Sequence, residues 1–392
     1  MTLYQNIKCL TPDLPSPEEL LPYLIEIHKN RWYSNFGPLH KRFEKGLIHL
    51  LRKNGNSDNI FTTLTSSGTM ALEISLTALR LKPKANVLVP SLTFPAPANA
   101  ILAHNLTPLI CDVDPENWQL TPEIAYDLVK KYPIAAVMPV ATFGVPIETA
   151  GWDQFVKETN IPVIIDAAGA FPFQKIGQKT ITTFSFHATK AFGIGEGGGV
   201  FLKNEILNER IKQSTNFGFN KGLIENIGYN AKLSEFHAAV GLAQLKRWKN
   251  IRSKRVAVDS FYNKLLTSHP TMLQKQLYLK KIIPSLKVVK VNSSIISSQS
   301  IKSISQQLFD QGVENRHWYS PPLHRIPIFV KQGIIATKPN ITSLEVTDEL
   351  TSSLLGLPFH TFLNQQDITN LVTSLTDILG NRKTLEIFND KK

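Results

Sequence analysis

The sequence predicts an α/β protein, with a mostly parallel sheet in a large domain and a smaller α+β domain in the C-terminal part. Three observations carry this. From about residue 60 to 203, short apolar runs alternate with helical periodicity. Strands separated by helices imply crossovers, and so a mostly parallel sheet covered on both faces. The strand-like runs are nearly all apolar, as burial on both faces requires. Finally, a long amphipathic helix from Leu233 to about Leu266 leads out of the large domain. The expected division is an N-terminal arm at 1–49, the large domain at 50–245 and the small domain at 246–392.

Within the large domain, Asn86–Pro90 reads as a strand and Leu92–His104 as a helix after a Pro-rich start. Pro108–Val113 is a strand, Thr121–Lys130 a helix, Ala135–Ala141 a strand and Glu148–Glu158 a helix. Ile161–Ile165, Thr182–Phe186 and Gly199–Leu202 are further strands. Beyond the long helix, alternation in the Lys/Ser-rich stretch Leu277–Ser300 predicts edge strands, and Gln365–Leu379 is again helical. The N-terminal arm is expected to pack on the small domain.

Composition narrows the class. At 42% hydrophobic and 19% charged residues over 392 positions, a sizeable core forms and a disordered or fibrous chain is excluded. Two cysteines, Cys9 and Cys111, are too few for a disulfide scaffold or a thiolate zinc site and fit a reducing compartment. The first residues contain no apolar signal-peptide core, and no apolar run approaches membrane-spanning length. A soluble, cytoplasmic protein without a membrane partner is expected. A net charge of +12 favours an anionic partner in general. The densest basic stretch, residues 246–255, continues a helix and reads as a solvated face. No zinc-finger spacing or RNA-binding signature accompanies it, so no nucleic-acid partner is expected.

Three segments carry possible chemistry. Ser66-Ser67-Gly68-Thr69 opens a helix, where free N–H groups and the positive dipole end suit an anion. An ordinary N-cap uses the same residue types. Asp166 closes the apolar run Val163-Ile164-Ile165, at the strand edge where ligands collect in open α/β sheets. A buried carboxylate there needs a cationic partner, such as a protonated heterocycle nitrogen, unless it caps the next helix. Lys190 follows the apolar Phe184-Ser185-Phe186 and precedes five glycines between Gly193 and Gly199. A lysine among apolar groups loses its proton readily, as an amine that condenses with an aldehyde must.

Gly193, Gly195 and Gly198 also satisfy G-x-G-x-x-G, but they lead into a strand, and no acidic residue follows at the dinucleotide spacing. A nicotinamide site is rejected. Taken together, a phosphate grip, a partner for a pyridine nitrogen and an amine are the parts that hold pyridoxal 5'-phosphate. Phe94, at another strand end, is placed to stack on the ring or to pack in the core.

These segments, with residues 31–39, 90–99, 111–114, 228–239 and 319–324, occur in an order that resembles the DegT/DnrJ-type nucleotide-sugar aminotransferases. That family is fold type I and uses pyridoxal phosphate, with pyridoxamine phosphate as the intermediate form. The resemblance implies a seven-stranded-type sheet. It implies that Lys190 is the covalent lysine and proton shuttle and that Asp166 is the ring-nitrogen partner. By the same resemblance Phe94 stacks on the ring, Gly68, Thr69 and Ser185 bind its phosphate, Ser67 also belongs to the cofactor site, and His187 is a neighbour of the phosphate or a packed residue. Asn230 matches an asparagine that reaches the cofactor of a neighbouring subunit, which implies a homodimer with shared sites. Asn35, Tyr319 and His324 fall on the substrate side, although the segment of Tyr319 and His324 also reads as a Pro-braced structural turn. Gly169 departs from the pattern, since the family usually carries Gln or His there, near the cofactor's 3-oxygen.

The implied activity is amino transfer, from glutamate, to a C3 or C4 keto group of a nucleoside-diphosphate-linked deoxyhexose. A dehydratase on the same fold, which carries His in place of the lysine, is the alternative, and Lys190 argues against it. A DNA-binding regulator built on the cofactor fold is the more distant alternative.

Overall fold

The computed structural model describes residues 6–56, 59–276, 278, 282–337 and 343–380. The chain opens its sheet with β1 Phe61–Thr65, a threonine-rich strand that was not among the expected ones, and six short strands then follow the expected runs: β2 Asn86–Pro90, β3 Thr107–Cys111, β4 Ile134–Val137, β5 Ile164–Asp166, β6 Ile181–Ser185 and β7 Gly198–Leu202. β4 stops short of its expected end, ahead of Pro139, which has no N–H for a ladder. The helix expected from Leu92 begins only at Ala96, behind Pro95 and with Pro97 in its first turn, where a missing N–H costs nothing.

Further strands are β8 Phe219–Asn220, β9 Leu223–Ile224, β10 Leu273–Lys275, β11 Lys287–Val291, β12 Ile334–Ala336 and β13 Leu354–Leu357. The large sheet forms in two halves, β1-β7-β6-β5 and β12-β3-β2-β4. Parallel bridges Val137–Val163 and Val140–Asp166 join β4 to β5. β7 runs antiparallel to both β1 and β6; the remaining pairs are parallel.

The later part of the chain also differs from the sequence expectation. β12 lies within the expected small domain, yet it extends the large sheet as an eighth strand beside β3. The stretch expected to give edge strands yields β11, which is central between β10 and β13. Ser293–Ile296 behind it is a helical turn. Residues 277 and 279–281 of that stretch lie outside the described residues.

The helix Glu235–Leu266 runs for 32 residues straight through the expected boundary at 245. Its buried residues Gln244, Trp248, Ile251, Arg255, Val258, Tyr262 and Leu266 recur at spacings of three and four, one continuous face. Lys246, Lys249, Arg252 and Lys254 lie exposed on the other side. Arg255, part of the same basic run, is instead buried. The helix Pro38–Lys53 packs on its first half, where Gly241 leaves room for the Phe43 ring. Its buried start has no side-chain cap of its own; the Glu235 carboxylate accepts the Leu39 and His40 N–H groups at 2.9 and 2.8 Å. In the arm, Ile7 bridges to Val313 in the C-terminal part.

An aromatic cluster of Phe43, Phe171, Phe184, Phe186, Phe192 and Trp248 fills the core beneath the β6–β7 connection. Its rings meet mostly edge to face at 5–6 Å, a favourable arrangement. No helix among the described residues is long and apolar enough to cross a membrane.

Candidate active site

A cavity of about 670 Å³ opens at the carboxyl edge of the sheet. Ser67, Gly68, Thr69, Phe94, Asp166, Ser185, His187, Lys190 and Tyr319 all line it. Residues from distant parts of the sequence meet there because β1, β5 and β6 end on the same edge.

Lys190 stands on the loop between β6 and β7. The loop folds back through Ala188 N–H to Gly195 O at 2.8 Å and Lys190 N–H to His187 O at 2.9 Å. Gly193 permits this, since a Cβ there would lie 2.5 Å from the Ala188 carbonyl oxygen. Lys190 is half-buried, and its ammonium makes no hydrogen bond with any described residue. Burial pulls its pKa below the ordinary lysine range, and the charge of Asp166 opposes that shift in part.

Asp166 is 6% exposed at the end of β5, and its Oδ1 accepts the Ala168 N–H at 3.0 Å. Burial raises its pKa; the Ala168 hydrogen bond and the Lys190 charge pull the other way. A cation placed against this carboxylate relieves the desolvation. A ring-nitrogen partner fits that need.

A candidate anion cradle is built from three strand ends. Ser67 caps the helix Gly68–Leu79, its hydroxyl accepting the Met70 N–H at 3.1 Å. The Gly68 and Thr69 N–H groups hydrogen-bond to no described residue and remain open to an anion. The glycines set the close packing. A Cβ on Gly68 would lie 2.6 Å from Ser185 Cβ, and one on Gly198 would lie 2.4 Å from Ser67 O. The N-cap and an anion site are compatible here, because the cap uses the Met70 N–H and leaves the first two free.

Phe94 is 62% exposed, and its ring meets that of Tyr319 edge to face at 6.5 Å. Tyr319 in turn stacks on Phe143 at 5.3 Å and 18°. Burial raises the Tyr319 phenol pKa, as does the nearby Asp166 charge. His187 lies 3.6 Å from Glu196 and shares a hydrogen bond with Thr189 at 2.9 Å.

Three sequence candidates fall elsewhere. His324 is bound by Ser91 at 2.7 Å and Asp348 at 3.1 Å, a closed structural network outside the cavity lining. Asn35 is exposed, with a left-handed φ of 62°. Asn230 is exposed and accepts from Lys232 at 2.7 Å. Sequence reasoning missed Phe143, Ser285, Leu286 and Trp318, which also line the cavity. Trp318 and Tyr319 are adjacent, a signal that was available. Ser285 had none, since it comes from a polar stretch about 120 residues beyond Asp166.

A lysine with a loosened proton, a strand-end carboxylate and an open helix start, around one cavity in this sheet, define a pyridoxal phosphate-dependent transferase of fold type I. The chain belongs to the DegT/DnrJ/EryC1/StrS aminotransferase family, whose model matches residues 16–376. It is 28% identical over 379 residues to the dTDP-4-amino-4,6-dideoxy-D-glucose transaminase of Shigella dysenteriae, covering 94% of this chain and 97% of that one. It is 31% identical over 252 residues to the 3-oxo-glucose-6-phosphate:glutamate aminotransferase of Bacillus subtilis, covering 62% of this chain and 55% of that one. A crystal structure described as a PLP-dependent aminotransferase from Bacillus cereus superposes with a TM-score of 0.86 at 27% identity, covering 95% of this chain and all of that one.

Proposed function

We propose that this protein moves an amino group from glutamate to a keto group, at C3 or C4, of a nucleoside-diphosphate-linked deoxyhexose, in the cytoplasm. One observation carries the amino-transfer chemistry: Lys190, Asp166 and the open helix start at Gly68 line a single cavity. The relatives' substrates, an amino-dideoxyglucose on dTDP and an oxo-glucose phosphate paired with glutamate, support the sugar and the donor. The net charge of +12 suits a diphosphate.

Pyridoxal phosphate supplies the electron-accepting ring on which the amine is carried. The chain does the rest. The Gly68 and Thr69 N–H groups and Ser185 Oγ hold its phosphate. Asp166 holds a proton at the ring nitrogen. Phe94 covers one ring face. Lys190 would hold the cofactor's aldehyde carbon and, once a substrate amine has displaced it there, its Nζ would take and return the substrate α-proton, which its burial suits. Tyr319 closes the substrate side.

The functional unit in this reading is a homodimer, with Asn230 reaching the partner's cofactor. The hairpin β8–β9 supports it. Leu223, Ile224 and Ile227 are 66–77% exposed there, an apolar patch next to the Asn216–Asn230 bridge. The test is to incubate pure protein with glutamate and a panel of 3-keto and 4-keto nucleotide sugars and to follow products by mass spectrometry. One substrate gains an amine at glutamate's expense. A panel with no aminated product, or loss of a hydroxyl without nitrogen gain, refutes the reading.

A further inference from the structure

Gly169 leaves the cavity wall beside Asp166 without a side chain, and a remote segment closes it. The Ser285 and Leu286 N–H groups both donate to Phe143 O, at 3.0 and 3.1 Å. The buried Arg255 guanidinium donates to the Pro284 and Ser285 carbonyls at 3.0 and 2.9 Å. Two glycines make room. A Cβ on Gly169 would lie 2.9 Å from Ser285 Cβ, and one on Gly144 would lie 2.5 Å from Ser285 N. Gly144 also has φ +91°, which L side chains rarely adopt. Ser285 is thus clamped from both sides against the cavity it lines. It is 2% exposed, and its hydroxyl has no hydrogen-bond partner among the described residues. A buried hydroxyl left unpaired is costly and calls for an explanation.

The sheet gives one. β5, ending in Asp166, has β6 with Ser185 on one side. On its other side the bridge to Val140 leads into Phe143 and Gly144. The phosphate grip and the Ser285 wall therefore flank Asp166 oppositely. In pyridoxal phosphate the phosphate arm and the 3-oxygen flank the aldehyde carbon oppositely as well. With the phosphate at the Ser185 side, the 3-oxygen faces the Ser285 side. Rotation about one side-chain bond swings a serine hydroxyl between partners.

We propose that Ser285 supplies the hydrogen bond on the cofactor's 3-oxygen flank, a positioning and tuning role that Gly169 cannot fill. This rests on the assignment of Lys190 and Asp166 above. A hydroxyl donated to that oxygen would stabilise its negative charge, so the oxygen would hold less tightly the proton on Lys190 Nζ, the nitrogen joined to the adjacent aldehyde carbon.

The test is a pH titration of the visible absorption band of holoenzyme, for wild type, Ser285→Ala and Tyr319→Phe. Ser285→Ala still binds cofactor, and its midpoint moves up by about one pH unit, the scale of one hydrogen bond to a charged group. Tyr319→Phe leaves the midpoint in place. A wild-type band that titrates, with an unmoved midpoint in Ser285→Ala, overturns this inference alone; so does a shift carried by Tyr319→Phe instead. A wild type with no such band overturns the functional reading together with it.

Discussion

Gly198 is the sharpest test of the phosphate cradle. It begins β7 and pairs with Thr65 and Ser185 at once. A Cβ there would stand 2.4 Å from Ser67 O, 2.5 Å from Ser67 C and 2.7 Å from Gly68 N, where ordinary contact begins at 3.4 Å. Alanine therefore forces strand and helix start apart by about 1 Å, because all three neighbours are backbone and none can swing aside. Overpacking of this kind costs about 1–3 kcal/mol, offset by about 0.4–1 kcal/mol for the stiffer unfolded chain. The net loss is about 1–2 kcal/mol. The same displacement withdraws a Gly68 or Thr69 N–H from the phosphate. One charge-assisted hydrogen bond is worth about 1.5–3 kcal/mol, which is about a 10- to 100-fold rise in Kd for the cofactor. The assay is absorbance titration of apoprotein with pyridoxal phosphate, beside a denaturant melt. Gly199→Ala is the control: its Cβ meets the Phe201 and Leu64 side chains at 2.9 and 3.1 Å, away from the cradle. It loses stability and keeps affinity. If Gly198→Ala binds cofactor as tightly as wild type, the cradle is misplaced.

Lys190→Ala abolishes amino transfer while circular dichroism stays native; retained turnover removes the lysine from its role. In apoprotein, Lys190→Met is more stable than wild type at neutral pH. Burial lowers the folded lysine pKa below 10.5, so the unfolded chain binds more protons between the lowered value and 10.5. Wild-type stability rises with pH across that window, and the gap to Lys190→Met narrows there; parallel melting curves at all pH values count against a buried charge. Asp166→Asn cuts kcat by about 10- to 100-fold, the worth of a charge-assisted hydrogen bond to the ring nitrogen, and undiminished kcat excludes that contact. Glu235→Ala, away from the cavity, strips two N–H groups of the helix Pro38–Lys53 of their acceptor. It costs about 2–3 kcal/mol in urea unfolding; an unchanged midpoint denies the cap any energetic part.

Much of this protein was legible along the chain. Apolar runs bounded by helical stretches marked β2 through β7 to within a few residues, because a strand buried on both faces must be apolar almost throughout. Ser67, Gly68, Asp166, Ser185 and Lys190 stood out for a related reason. Each lies at a strand end or just beyond it, and in a parallel sheet those ends gather on one edge whatever the loops do.

Other features depended on which distant segments meet. β12 reads as part of the C-terminal region, yet a partner for it was free at the edge of β3. β11 looked like an edge because the stretch 277–300 around it is rich in Lys and Ser, which suits solvent on one face; it became central when β10 and β13 paired on both sides. Lys287, at its start, is buried with Asp259 at 2.8 Å as its ion-pair partner, from a helix that no local pattern connects to it. His324 shares a motif with Tyr319, but only Tyr319 faces the cavity, since Ser91 and Asp348 hold the histidine elsewhere. Ser285 carries no mark of its own. Its place beside Gly169 arises from Arg255 and Phe143 gripping its backbone. Local periodicity records how much of each segment is buried, whereas closure of the site depends on contacts between segments, whose geometry is set by the whole packed chain.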